Sequence, residues 1–177
     1  LEAGAVEVKF SFQFGSSFSA SPELQAQING WYQSGTEVVF ACGGSMFDSV
    51  KAAAEANPGK KIIGVDVDQS ALSDRVITSA VKGLKESVEI VLGQFYANKW
   101  DAELAGKCQN LGAADNATGL PTAATSWRFD TFTVEAYNTL FASIVAGTLE
   151  IDANTDGTIN QAWFDAKGYD HVTVIYE

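Results

Sequence analysis

The sequence predicts an α/β fold built on a parallel sheet. Short apolar runs with strand character alternate along the chain with helical stretches, and the connections between them are short. Size supports the same class. A chain of 177 residues with 46% hydrophobic content is long enough for one substantial core or two small lobes.

The elements follow in order. Val6 to Phe14 (VEVKFSFQF) alternates with period two, as a half-buried strand does. Ser21-Pro22-Glu23 then offers an N-cap, a proline at the first helical position and an acid in the first turn, so a helix is predicted from there to about Gln33. Gly35 ends it. Glu37 to Ala41 is a near-continuous apolar strand; Ser45 begins a second helix, which stops near Asn57-Pro58-Gly59. Lys61 to Val65 (KIIGV) is a third strand, so the order strand, helix, strand, helix, strand predicts right-handed crossovers and a sheet covered on both faces. A short strand in Arg75 to Ala80 and a helix from about Gly83 to Asn98 continue the pattern. Leu111 to Ser126 reads as a long connection, Phe132 to Ala146 as a helix, and His171 to Tyr176 as a closing strand.

Composition removes several classes of function. A formal net charge of −11 without a cluster of Lys and Arg lacks the footprint of nucleic-acid binding. Cys42 and Cys108 show neither a CxxC nor a Cys/His spacing, so a zinc site is not expected, and the two thiols can pair or stay free. No cofactor is expected. No apolar run approaches the ~18 residues of a membrane-spanning helix. The chain starts at Leu1 without the charged and apolar regions of a leader, so any targeting segment is expected outside these residues.

In an open parallel sheet ligands sit beyond the carboxyl ends of the strands. Three segments are predicted to share that rim: Phe14-Gly15-Ser16-Ser17, Cys42-Gly43-Gly44-Ser45-Met46-Phe47 and Asp66-Val67-Asp68-Gln69. Gly43 and Gly44 either turn the chain or admit a ligand close to the backbone, but they form neither GxGxxG nor a P-loop. Asp66 and Asp68 can be a metal pair, an acid/base pair or acceptors for ligand hydroxyls. Lys82 is either a solvated surface lysine or a donor brought to the same rim. Phe47 is either core or an aromatic face for a flat ligand. Cys42 reads as a buried structural thiol, since no histidine is placed to activate it; the only histidine, His171, reads as structural. Asp152 to Ile159 matches the first eight positions of a calcium loop, but Trp163 stands where the closing acid belongs, so an Asx-rich turn is the better reading.

The strings VVFACGGSMFDSVKAAAE, KKIIGVDVDQ, VITSAVKGL, LGAADNATGLP and FTVEAYNTLFASIVAGTLEI, in this order, resemble the basic membrane protein family of bacterial solute-binding lipoproteins, to which the purine nucleoside receptor belongs. The likeness spans about Val6 to Ile151. It implies a periplasmic-binding-protein type I fold, two α/β lobes joined by hinge strands, of which this chain is the C-terminal half, with residues 1–110 as the ligand-binding second lobe and 111–177 as the hinge return, C-terminal helix and final strand packing on that lobe. It also implies a first lobe and an ABC permease as partners, and an extracytoplasmic place on a lipid anchor. By the resemblance Gly43, Gly44 and Ser45 are the ligand-facing corner, with Met46 beside them and Phe47 stacking on a base. Asp66 receives ribose hydroxyls, Asp68 accompanies it, and Lys82 lies at the sugar. Ser45-Met46 stands where family members commonly have Thr-Gly.

The expected function is therefore binding without chemical change, of a nucleoside or similar small polar ligand. Two rivals stay open. One is a small α/β enzyme acting on a nucleoside or sugar with Asp66 or Asp68 as base. The other is a ligand-sensing domain of a signalling protein.

Overall fold

A computed structural model describes residues 8–12, 18–149, 151, 160–169 and 172–176, with the backbone alone at 8–12 and 176. The chain divides into two compact units, one of Phe18–Glu150 and one of Leu1–Ser17 with Ile151–Glu177.

The larger unit holds a four-stranded sheet. Strands β2 (Val38–Phe40), β3 (Lys61–Asp66) and β4 (Val76–Lys82) run parallel, and the two-residue β5 (Thr118–Gly119) closes the edge antiparallel to β4, giving the order β2-β3-β4-β5. Helix α1 (Pro22–Gln33) begins as its sequence demands. The Ser21 hydroxyl accepts from the Leu24 amide at 3.1 Å, and Pro22 needs no amide partner there. Helix α2 (Met46–Ala56) buries Phe47, Val50, Ala53 and Ala54 along one face. Those residues meet Ile28 and Tyr32 of α1 and Val39, Ile62 and Val76 of the sheet in one core. Each large apolar side chain so buried contributes about 1.5–3 kcal/mol. Polar bonds fix how the two helices sit. Ser49 Oγ accepts from the Ser21 amide at 2.9 Å and donates to the Ser21 carbonyl at 3.0 Å, while Asn57 Nδ2 donates to Asn29 Oδ1 at 2.7 Å. The buried Tyr32 hydroxyl donates to the Lys61 carbonyl at 2.9 Å, tying α1 to the start of β3.

Cover is uneven at the β2 edge of the sheet. Val39 is buried, but Val38 and Phe40, which point the other way, are 40% and 48% exposed. Helix α3 (Leu84–Tyr96) meets a π-helical turn at Trp100–Leu104, α4 (Val134–Val145) meets the turn at Ala113–Asp115, and neither buries a residue.

The smaller unit pairs β1 (Val8–Phe12) in parallel with β6 (Val172–Tyr176), in register from Val8↔Val172 to Phe12↔Tyr176. The first strand is thus not a member of the four-stranded sheet. A period-two pattern marks a strand but carries no information about its partner, which here lies at the far end of the chain. Helix α5 (Gln161–Ala166) secures β6: Gln161 donates through Nε2 to the Val172 carbonyl at 2.8 Å and accepts through Oε1 from the Val174 amide at 2.9 Å.

Candidate functional site

The parallel order brings the ends of β2, β3 and β4 to one sheet edge. Asp66 closes β3 opposite Val81, and Lys82 follows Val81 on the next strand, whose axis lies about one inter-strand spacing of ~4.8 Å away. Beyond the β3 and β4 ends lies a cavity of about 530 Å³ lined by Asp66, Asp68 and Lys82 and by Glu86 from the first turn of α3. Asn116 and Thr118 form part of its wall beside β5, and Tyr137 and Phe141 of α4 add aromatic surface. The volume is that of a small-molecule pocket.

Glycines bring the backbone together here. A Cβ on Gly83 would lie 2.7 Å from Ala117 Cα and 2.9 Å from the Asn116 carbonyl, and the Gly83 amide donates to the Ala117 carbonyl at 2.8 Å. A Cβ on Gly64 would collide with Gln69 Oε1 at 2.5 Å and Ser79 Oγ at 2.7 Å. That space lets Gln69 fold beneath β3: its Oε1 accepts from the Val65 amide at 2.9 Å, and its own amide donates to Ser79 Oγ at 3.0 Å. The loop carrying the two aspartates is thereby clasped at both ends.

The two aspartates differ. Asp66 adopts a left-handed backbone, φ 66°, which aspartate tolerates better than most residues. Its carboxylate is exposed and makes no hydrogen bond or ion pair among the described residues; the same holds for the Lys82 ammonium. Two opposite charges on neighbouring strand ends thus face the cavity with their bonding capacity unspent. Asp68 is engaged. Oδ1 accepts from the Ser70 amide at 3.0 Å and Oδ2 from the Ser126 hydroxyl. Burial pushes its carboxyl upward, but the bonds from Ser126 and Ser70 and the Arg128 charge outweigh that and hold it below the ordinary aspartate range. Arg128 locks the same region by donating to the carbonyls of Ser70, Ser73 and Val76. Asp68 therefore serves the loop as well as lining the cavity.

The glycine corner stands on the same sheet edge, at the end of β2, but does not line the cavity. What fits against it is Phe18. A Cβ on Gly44, whose φ is 49°, would lie 3.0 Å from the Phe18 carbonyl, and a Cβ on Gly43 would lie 3.1 Å from Phe18 Cδ1. Ser45 donates to that carbonyl at 3.2 Å. Phe18 is 75% exposed, an aromatic face that the sequence reading passed over; an isolated phenylalanine just ahead of a helix cap was the available signal. Met46 packs back over Gly43. Phe47 is corrected: at 2% exposure it belongs to the core and offers no face to a ligand, because it falls on the buried stripe of α2. Cys42 is corrected too, being exposed rather than a buried thiol, since the chain turns it away from buried Ala41. Both cysteines are free.

The side-chain oxygen of Gln69, the last residue of the rim segment Asp66 to Gln69, is spent on the Val65 amide. Among the described residues no group of three or more His, Cys, Asp or Glu is placed to hold a metal ion, and no helix is long and apolar enough to cross a membrane. The rim segment Phe14 to Ser17, the calcium-like stretch Asp152 to Ile159 and the Asp170-His171 pair lie outside the described residues. Glu86, Asn116, Thr118, Tyr137 and Phe141 were missed as site residues, because only the packing of α3, β5 and α4 around the β3 and β4 ends assembles them.

In open α/β sheets small ligands bind beyond the carboxyl ends of the strands, which is where this cavity lies. The chain belongs to the family described as "Bmp: ABC transporter substrate-binding protein PnrA-like", which matches residues 17–155. It is 28% identical over 121 residues to Basic membrane protein B of Borreliella burgdorferi, covering 66% of this chain and 35% of that protein. It is 33% identical over 125 residues to Basic membrane protein D of the same species, covering 67% and 36%. The chain thus spans about a third of the length of these relatives. In fold it resembles a chain from "Crystal structure of ABC transporter system solute-binding proteins from Aeropyrum pernix K1", with a TM-score of 0.54 and 17% identity over 88% of this chain and 50% of that one.

Proposed function

We propose that the chain is a ligand-binding lobe of a receptor that delivers a nucleoside, or a similar small polar solute, to an ABC importer and releases it unchanged. The observation that carries this is the pair Asp66 and Lys82, opposite charges held at adjacent strand ends of a cavity and left unpaired by the described residues. A carboxylate accepts two hydroxyls at once, which suits the vicinal diol of a ribose, and the ammonium donates to a ring or hydroxyl oxygen. Tyr137 and Phe141 offer aromatic wall for a flat ring, and Phe18 a further exposed ring on the same sheet edge. No step of bond breaking is required of any of these residues. In this reading a first lobe of the longer protein closes over the ligand, and that protein works outside the cytoplasm on a lipid anchor beside its permease.

Calorimetric titration of adenosine, inosine, ribose and calcium into the chain and into the longer protein tests the proposal, with Asp66→Ala as the variant. The expected outcome is nucleoside binding that is weak in the chain alone and tight in the longer protein. Asp66→Ala should reduce it on the order of tenfold to a hundredfold, the loss of hydrogen bonds to a charged group. Micromolar binding by the chain alone would remove the need for a second lobe. Stabilisation by ribose or calcium without any nucleoside would overturn the nucleoside reading.

A further inference from the structure

A tyrosine in a cavity wall can serve as apolar surface or as a directed hydrogen bond, and the partners of Tyr137 distinguish the two. The Leu120 amide donates to the Tyr137 hydroxyl oxygen at 2.9 Å. An amide can only donate, so it takes up a lone pair of that oxygen and leaves the hydroxyl proton to be given elsewhere. No acceptor among the described residues receives it. The side chain is also held in place. Its ring packs against Trp127 at a centroid distance of 5.4 Å and against Phe141 at 5.6 Å, and Trp127 is anchored in turn by its indole N–H, which donates to the Phe132 carbonyl at 2.6 Å. Gly119 of β5, itself a lining residue, admits the hydroxyl to the backbone: a Cβ there would lie 2.9 Å from Tyr137 Oη. Beside Tyr137 on the wall, Asn116 and Asn138 carry side-chain amides that make no hydrogen bond among the described residues. This wall is neutral, whereas the charged Asp66 and Lys82 stand at the ends of β3 and β4.

Resting on the nucleoside reading above, we propose that Tyr137 reads the base: its hydroxyl, held as a donor by the Leu120 amide, gives its proton to a ring nitrogen of the ligand. Because the oxygen is already bonded, the group selects for an acceptor, and a C–H at the same ring position leaves the hydroxyl proton unpaired against an apolar edge. Asp66 accepts and Tyr137 donates, so the two walls together fix which way round a nucleoside lies.

The test is a chemical-shift titration of the isotope-labelled chain, as the parent, as Tyr137→Phe and as Gly119→Ala. The probes are adenosine, its 1-, 3- and 7-deaza analogues, each of which exchanges one ring nitrogen for C–H, and 2′-, 3′- and 5′-deoxyadenosine. One deaza analogue should bind the parent about threefold to tenfold more weakly than adenosine, and that difference should vanish in Tyr137→Phe. Gly119→Ala presses on the hydroxyl without removing it, so it should shrink the same difference and leave the order of the other probes unchanged. Each probe is read against adenosine within one variant, so a general loss of stability cancels. A common weakening of every probe in Tyr137→Phe would mark the residue as a prop for Leu120 and overturn the base-reading role, as would a coupling confined to a deoxy analogue. Adenosine bound by the parent, lost in Asp66→Ala, yet matched by all the deaza analogues would overturn the role of Tyr137 and leave the nucleoside reading standing. If no probe moved any cavity resonance, the nucleoside reading would fall and this inference with it.

Discussion

Asp66 and Asp68 sit one residue apart with the same functional group, yet their surroundings assign them different work. Asp66 holds a left-handed backbone of order 1 kcal/mol in cost and keeps its carboxylate free at the cavity. Asp68 is bonded to the Ser70 amide and to Ser126, which stands 58 positions along the chain. That distance is why the sequence could single out both residues and not tell them apart. Phe47, by contrast, could have been placed from the sequence, since Phe47, Val50, Ala53 and Ala54 recur at helical spacing along α2. The lowered pKa of Asp68 has a signed consequence. A depressed folded-state value means that its stabilisation is present above the unfolded aspartate range and is lost as pH falls through the folded value. Asp68→Asn should therefore lower the melting temperature near neutral pH, and the difference from the parent should shrink as acid is added. Thermal melts of both proteins across that range would show it, and a pH-independent gap would count against the carboxylate.

At the scale of elements, strands β2, β3 and β4 and helices α1 and α2 were legible because apolar period and the Ser, Pro and Gly signals at their boundaries agree. Strand β5 was not. Two residues cannot display a period, and Thr118–Gly119 becomes a strand only because β4 lies beside it. The pairing of β1 with β6 was equally silent, for pattern identifies strands and leaves their partners to the tertiary fold. The junction of β4 with the segment 116–119 depends on Gly83, where any Cβ meets backbone on the opposite side rather than a movable side chain. Gly83→Ala should destabilise the larger unit by about 1–3 kcal/mol and weaken ligand binding at the same time, because Asn116 and Thr118 must retreat from the cavity. Urea unfolding combined with the nucleoside titration would register both effects. A stability loss without any change in binding would show that the wall at 116–118 is not used.

For the molecule as a whole, the class of the fold and the family were legible from five strings spread over most of the chain, while the cavity was not, since its wall draws on elements from Asp66 to Phe141. The two units are each held by their own contacts, the larger by the α1, α2 and sheet core and the smaller by β1, β6 and α5. At the centre of the larger unit is Tyr32, 1% exposed, with its hydroxyl bonded to the Lys61 carbonyl. Burial raises its phenol far above the ordinary tyrosine range. Its contribution to stability is intact below the unfolded value of about 10 and is lost as pH climbs toward the raised folded value. The phenolate also absorbs light differently from the phenol. Among the five tyrosines of the chain, Tyr32 should ionise only when α1 lifts from the sheet, so an alkaline absorbance titration would carry a delayed component that vanishes in denaturant. The chain thus contains its own optical gauge of whether that core is shut.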